Sequence, residues 1–433
     1  MLLAAFTGAA LAQPSLPLPV PGAPAPAPAT PAAPPVLPGT VAPPASDIVR
    51  NNPATPVPNP NLAAGAAVPP RRGFLRAEPF FVYPFLAAGF GYTDNLLGQS
   101  SNQKSATLFT LSPRVQAEAR GRGHVHGLRY GGSYGIWSGS RADDFANHEF
   151  VASSVNQFTA RADLSATAFY LLQQDPRGAN TRVALEKPDE WRGLGVNLTA
   201  GYGARTAQGR IEVDLGLADK EYRNNPSLTD DLSVRTLNLA GRFYYRLGPR
   251  TRALAEWRHI EFDYDTGRLS NSEDRLMLGV AWDLAASTTG TARAGYVRKD
   301  FDDAARSDYG ALGLDVSLRY LIYSYSAVEV ALSRLPSDSS GSGFFTVDTN
   351  LATSWTHRWA GHLSTRAQLA YVNQDVRGAN RTDKTTTLSL GGYYDLRSWL
   401  RLGAELQHLN RSSPDARFDH SRNLLLFTVG ATL

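Results

Sequence analysis

From about residue 80 onward, aliphatic side chains recur at every second position, and the positions between them carry charged, amide or hydroxyl side chains or glycine. In residues 211–217, Glu212 and Asp214 alternate with Val213 and Leu215. A period of two places the two sets on opposite faces of a β-strand. Carboxylates and guanidinium groups gathered on one face can pair with each other and hold water, so the pattern indicates a polar wall.

The length of the alternating segments indicates which kind of sheet carries this wall. They run for 11–15 residues. Strands of soluble proteins average about 5–6 residues, whereas a tilted strand needs roughly 9–11 residues to cross a bilayer. Eighteen such segments lie between residues 80 and 433. The sequence therefore predicts an all-β fold, a transmembrane antiparallel up-and-down β-barrel of about 18 strands (16–18).

The charged set should face the interior of this barrel, because an arginine near the bilayer midplane costs about 2–4 kcal/mol. Both signs occur, which predicts Arg–carboxylate ladders. The candidate pore-lining residues are Arg114, Glu118, Arg129, Glu212, Asp214, Arg242, Arg252, Glu256, Arg258, Arg275, Asp283, Arg293, Asp315, Arg319, Glu329, Asp348, Arg366, Arg401 and Glu405. A soluble β-sandwich with the aliphatic face inward is the alternative, but its strands would be shorter.

Composition narrows the function. The 433-residue chain has a formal charge of +4 and no basic block, which argues against nucleic acid as a partner. It has no cysteine, and its eight histidines are scattered. No spacing of nucleophiles, acids or metal ligands indicates a catalytic, metal or cofactor site. We therefore predict that the protein is not an enzyme and uses no cofactor.

The N-terminal region differs in composition from the rest. Residues 1–12 are typical of a secretory signal peptide without its basic start. Residues 13–78 are rich in proline and alanine, and proline disfavours sheets, so we expect a disordered periplasmic spacer. It could tether the protein to cell-wall or polysaccharide-export components, or enter the barrel as a plug. Residues 79–433 would form the barrel.

The joins between segments alternate between long and short. Residues 95–103 and 175–189 are long polar joins, whereas 120–122 and 248–249 are short. Outer-membrane barrels place short turns in the periplasm and longer loops outside. An even strand count then puts both termini in the periplasm of a Gram-negative cell. The expected partners are outer-membrane lipid, lipopolysaccharide and the barrel-assembly machinery.

One stretch occurs twice, at 170–180 and at 371–380, and its last seven residues are Gln-Asp-Pro-Arg-Gly-Ala-Asn (174–180) in the first copy and Gln-Asp-Val-Arg-Gly-Ala-Asn (374–380) in the second. One interpretation is a shared loop geometry, in which Asp caps a turn and Gly takes a positive φ. The other is an outer-rim contact for a glycan, an ion or lipopolysaccharide. That contact would use Asp175, Arg177, Asp375 and Arg377.

Short motifs resemble a known family. Residues 91–95 (Gly-Tyr-Thr-Asp-Asn) and 110–113 (Thr-Leu-Ser-Pro) resemble the first two strands of the putative beta-barrel porin type 2 family, although Thr93 stands where Asp is usual. Residues 393–396 and 410–413 are also similar, so the resemblance spans 80–433. It implies an outer-membrane barrel associated with exopolysaccharide gene clusters, and hence glycan export. It assigns no catalytic residues.

These observations leave several hypotheses. The first is a passive outer-membrane conduit for a secreted polysaccharide. The second is a general diffusion porin for small hydrophilic solutes, and the third is a non-transporting anchor or scaffold. Porins usually fold one long loop inward, and the longest loop here, 175–189, is modest. We therefore expect a wider or differently gated pore.

Overall fold

The structure is a computed structural model that describes residues 75–77, 79–178, 187–204, 206–284, 287–338, 343–359 and 361–432. The predicted signal peptide and nearly all of the Pro/Ala-rich segment lie outside these residues.

Nineteen strands make up most of the described chain. They are β1 (Leu75–Ala77), β2 (Phe80–Thr93), β3 (Ala106–Gly121), β4 (His124–Trp137), β5 (Phe145–Gln157), β6 (Ala162–Asp175), β7 (Asp189–Tyr202), β8 (Gly209–Tyr222), β9 (Val234–Gly248), β10 (Thr251–Tyr264), β11 (Asn271–Leu284), β12 (Thr288–Phe301), β13 (Tyr309–Tyr323), β14 (Ser326–Asp338), β15 (Phe345–Arg358), β16 (Leu363–Arg377), β17 (Arg381–Arg397), β18 (Leu400–Ser412) and β19 (His420–Thr432). A short helix, α1 (Pro226–Thr229), and two 3-10 turns, Arg141–Asp143 and Asp230–Leu232, lie in the joins. No helix in the described ranges is long and apolar enough to cross a membrane.

Strands β2 to β19 form one closed barrel. Each strand pairs antiparallel with its neighbour in sequence, and β19 pairs with β2 from Leu424↔Thr93 to Thr432↔Phe85. The short β1 pairs with the start of β2. Closure leaves no long free edge, so the backbone donors and acceptors are satisfied within the sheet. The predicted 18-strand antiparallel barrel is confirmed.

The two faces of the sheet differ as the alternation requires. Aliphatic and aromatic side chains on the outer face are exposed; for example, Leu278 is 64% and Leu312 is 77% exposed. Exposed aromatic side chains also gather where the short joins lie, including Tyr202, Phe243, Tyr245, Trp359, Tyr394 and Trp399. Amphipathic rings at strand ends suit a bilayer interface.

Most of the long joins lie at one end of the barrel and most of the short ones at the other, with 378–380 and 203–208 as exceptions. We call the end with joins 94–105, 138–144, 176–188, 223–233, 265–270, 302–308, 339–344, 378–380 and 413–419 the loop rim. The other end, with joins such as 122–123, 249–250 and 398–399, is the turn rim. Strand boundaries lie within three residues of those expected from the alternation. Strand β14 lies at the limit of this agreement, because the alternation predicts its end at 335 and it runs to Asp338.

Candidate functional site

A ladder of ion pairs crosses the inner face of β8 to β13. Glu256 on β10 lies at its centre: it accepts hydrogen bonds from Arg293 Nη1 at 2.7 Å and from Arg258 Nε at 3.3 Å. Arg242 Nη1 lies 3.6 Å from the same carboxylate. The Glu256 side chain is only 1% exposed, so its charge is stabilised by these three guanidinium groups and not by water.

The ladder continues on both sides of Glu256. Arg242 also donates to Asp214 at 2.8 Å and to Glu212 at 3.3 Å. Arg293 donates to Asp315 at 3.2 Å. Further round the barrel, Arg319 lies 3.5 Å from Glu329. Each of these arginines has a carboxylate partner, so this wall carries dense charge that is neutralised in place.

Sequence reasoning missed several members of this wall. Arg210 binds Asp163 through two parallel hydrogen bonds of 2.8 Å and also donates to Glu212 at 2.9 Å. Lys299 is fully buried and pairs with Asp338. Arg210 and Lys299 keep the same period of two as their predicted neighbours on β8 and β12, and that signal could have found them.

The other predicted inner-face residues have varied surroundings. Ion pairs join Glu118 to Arg120, Arg129 to Glu149, Arg275 to Glu273, and Arg401 to Asp395, while Glu405 accepts from the Tyr393 hydroxyl at 2.9 Å. The Arg114 guanidinium lies 5.6 Å from the centre of the Phe85 ring. Arg252 and Arg366 are paired in the sheet register with residues of β9 and β17 that face the interior, so both arginines lie on the inner face. The Asp283 side chain lies outside the described residues, and Asp348 is treated separately below.

The end of the β14–β15 hairpin folds into the barrel. Residues 335–338 of β14 pair with β15 but not with β13, whose pairing with β14 ends at Leu314↔Arg334. The Phe345 ring lies 5.6 Å from Phe301 and 5.1 Å from Tyr309. Both of those rings lie on the strands that form the wall, so the hairpin packs against the inside of β12 and β13. This contact explains why β14 extends beyond its predicted end.

A buried carboxylate fixes this hairpin. Asp338 accepts hydrogen bonds from Lys299 Nζ on β12 and, at 2.8 Å, from the Tyr264 hydroxyl on β10. The Lys299 ammonium also lies 4.6 Å from the centre of the Phe262 ring. Because these groups are buried together, removing Lys299 leaves the Asp338 carboxylate without its cation, and removing Asp338 leaves the ammonium with only the Glu273 carboxylate as an anionic partner among the described residues, at 3.8 Å.

Three loops meet on the inner side of β18 and β19. The backbone oxygen of Gly178 accepts from Arg411 at 3.0 Å, and that of Arg177 accepts from Arg422 at 3.2 Å. Arg422 also donates to the backbone oxygen of Leu96 at 3.2 Å. The Arg177 side chain pairs with Asp143 of the 138–144 join. Thus the first residues of the 176–188 join reach β18 and β19, although we expected this loop to be too modest for a constriction.

A buried carboxylate on β17 supports the contacts that Arg411 makes with the 176–188 join. Asp383 on β17 accepts from Arg411 at 2.7 Å and from the Ser413 hydroxyl at 2.6 Å, and it lies 3.1 Å from Arg381. The Arg381 guanidinium lies 3.7 Å from the centre of the Phe418 ring. This stack holds the 413–419 join against the same sector.

The four outer-rim candidates do not form one site. Asp175 accepts from the Trp191 indole at 2.9 Å, and Arg177 is buried against Asp143. Asp375 and Arg377 pair with each other at 2.7 Å and stay partly exposed. Gly178 and Gly378 have φ values of 77° and 87°, as the shared loop geometry predicts.

Within the described ranges, no group of three or more histidine, aspartate or glutamate side chains is arranged to hold a metal ion.

The similarities of the chain to solved structures are distant. No curated protein matches the chain. Among solved structures, it is similar to OccK2 (OpdF) of Pseudomonas aeruginosa, with 14% identity, a TM-score of 0.48, and 84% of this chain and 100% of that chain covered. It is also similar to OpdK of Pseudomonas aeruginosa with vanillate, with 11% identity, a TM-score of 0.47, and coverage of 81% and 98%. These similarities are too low to transfer a solute to this chain.

The family comparison shows to which family the chain belongs, which the solved structures do not. The family model for putative beta-barrel porin 2 matches residues 75–433, which is the whole described barrel. Its porin character fits the exposed aliphatic exterior, the closed 18-strand sheet and the paired charges of the interior. The protein is thus a porin-like β-barrel of the outer membrane, and the chain belongs to the putative beta-barrel porin 2 family.

Proposed function

We propose that the protein is a narrow diffusion channel for small hydrophilic solutes. The observation that carries this proposal is the inward-folded β14–β15 hairpin, held by Asp338 against Lys299 and Tyr264. An 18-strand barrel is wide enough for an aqueous channel. Segments fixed inside its loop rim reduce the width available to a solute, and the paired charges of the wall keep the remaining passage hydrated.

The orientation belongs to the same proposal. The loop rim would face the outside of the cell and the turn rim the periplasm, because outer-membrane barrels carry their longer loops outside. The outer face would contact lipid and lipopolysaccharide, and the C-terminal strand β19 would be read by the barrel-assembly machinery. Protease protection in intact cells would test this orientation at the 94–105 and 413–419 joins.

Export of a polysaccharide stays a prediction from the family resemblance. A polymer conduit needs a wide continuous passage, and the anchored hairpin and loops favour small solutes. The Pro/Ala-rich segment as a tether to cell-wall or export components also stays a prediction.

Single-channel recording in planar bilayers tests the proposal. We expect the purified full-length chain to conduct ions and to exclude all but the smallest polyethylene glycols. Lys299→Met should release the hairpin, so conductance and the size limit should both rise. Arg192→Gln is a suitable control, because its ion pair with Glu221 is exposed and lies outside the anchor.

Three outcomes would contradict the proposal. A barrel that inserts but carries no current would favour the anchor or scaffold hypothesis. Unhindered passage of long oligosaccharides through the unaltered protein would favour the export conduit. Loss of surface glycan in a deletion strain, without slower solute uptake, would point the same way.

A further inference from the structure

Three polar side chains form a compact patch on β15 and β16. Asp348 lies directly opposite Gln374 in the sheet register, and Asn350 lies two positions along β15 on the same face. Residues in these relations have neighbouring side chains. The next strand places Asp383 opposite Gln374, so the patch adjoins the anchor formed by Asp383, Arg381 and Arg411.

The patch contains polar atoms that its own neighbourhood does not satisfy. Both carboxylate oxygens of Asp348, the side-chain O and N of Gln374 and the side-chain oxygen of Asn350 have no partner in good hydrogen-bond geometry among the described residues, although the Thr346, Ser337 and Gln374 side chains lie near the Asp348 carboxylate. Asp348 is 0% exposed and Gln374 is 2% exposed. Buried polar atoms are normally paired, so a group of five unpaired ones calls for an explanation.

A comparison with the neighbouring carboxylate, Asp383, shows that Asp348 lacks a cationic partner in the described chain. Asp383 has two guanidinium partners, at 2.7 and 3.1 Å. In the described chain, by contrast, Asp348 has no ion pair. Four of the five unpaired atoms are acceptors, which favours a ligand that is positively charged or donates hydrogen bonds.

We propose that Asp348, Asn350 and Gln374 bind a monovalent cation. One carboxylate with neutral amide oxygens supplies a single negative charge, whereas calcium sites normally gather several carboxylates. An alkali-metal ion and the protonated amine of a small solute share this chemistry. The amine as a source rests on the proposed channel, because such a solute must enter the barrel to reach the site.

The site itself can be tested without conduction. Crystals of the full-length protein grown in Rb⁺ should show an anomalous scattering peak beside the Asp348 carboxylate. Asp348→Asn keeps the shape but removes the charge, so the peak should disappear. Glu329→Gln makes the matched change at a carboxylate that has Arg319 as partner, so the peak should stay. A missing peak in the unaltered protein, or one that persists in Asp348→Asn, overturns the proposal.

A second measurement separates the two sources. If amines use the site, a short diamine should block the K⁺ current, and Asp348→Asn should weaken this block about tenfold or more. If the Rb⁺ peak is present and the diamine has no effect, the site belongs to inorganic ions. A Rb⁺ peak in a barrel that carries no current would support the site and contradict only the channel.

Discussion

The two copies of the seven-residue motif, at 174–180 and 374–380, have different surroundings in this barrel. In the first copy, Arg177 is buried against Asp143, and its backbone oxygen accepts from Arg422. In the second, Arg377 pairs with Asp375 two residues away, and both side chains stay partly exposed. The motif therefore encodes a turn, while the partners supplied by distant strands decide whether that turn enters the barrel.

The largest difference in stability between the two copies should come from substitution of their arginines. Arg177→Met leaves the buried Asp143 carboxylate without its cation, so the free energy of unfolding should fall by about 3–5 kcal/mol. Urea titration of the protein in lipid vesicles, followed by tryptophan fluorescence, measures this change. A loss of about 1 kcal/mol or less, which is the range for exposed ion pairs, would mean that the first copy is no better anchored than the second.

The second prediction removes the arginine that holds the 94–105 and 176–188 joins and leaves the seven-residue motif unchanged. Arg422→Met deletes the charged donors to Leu96 and Arg177, which should cost about 1.5–3 kcal/mol. Freed loops should also raise the single-channel conductance and its noise. Arg242→Met in the ion-pair ladder is the control, since it should lower stability without that increase in noise. Equal noise in both variants would contradict the assignment of the loops to a constriction.

The third prediction compares the glycines of the two copies. Gly178→Ala and Gly378→Ala each place a side chain at positive φ, so each should cost about 1–2 kcal/mol. The added Cβ would lie 3.2 Å from His420 in the first copy and 2.8 Å from Phe344 in the second. We expect both variants to alter conductance in the same bilayers, Gly178→Ala through the join that contacts Arg411 and Gly378→Ala through Phe344 beside the β14–β15 hairpin. An effect from only one of them would show that only that copy contributes to the narrowing of the passage.

The smallest effect should come from the exposed arginine of the second copy. Arg377→Met breaks an ion pair that is open to solvent, so the change in unfolding free energy should stay within about 0–1 kcal/mol. The same urea titration checks it. A loss as large as that of Arg177→Met would erase the contrast between the copies.

Much of the fold follows from the sequence. The number of strands, their boundaries and the aliphatic outer face depend on a period of two, which is local and survives without tertiary information. The Arg–carboxylate pairs of β8 to β13 were expected as a class, and Glu256 with its arginines belongs to it. Lys299 was missed although its period of two places it on the inner face, and the tertiary contacts of Lys299 and Arg422 could not be read from their local sequence.

The inward-folded segments could not be predicted in this way. The hairpin contact between Asp338 and Tyr264 joins residues 74 positions apart, and the contact between Arg422 and Arg177 joins residues 245 apart. The modest length of the 175–189 loop suggested a wider or differently gated pore, but the reach of a loop depends on what it can bind as well as on its length. Arginines on β18 and β19 supply that binding.

The sequence by itself determined a barrel with an apolar exterior and a charged interior, because side-chain alternation is a property of each strand taken alone. Only the tertiary structure decided which charges neutralise each other, which joins reach the inner side of β18 and β19, and that, among the described residues, Asp348 has no cationic partner while Asp383 has two. The physical reason is that electrostatic partners are chosen by distance in space, and closure of the sheet brings together residues that are hundreds of positions apart.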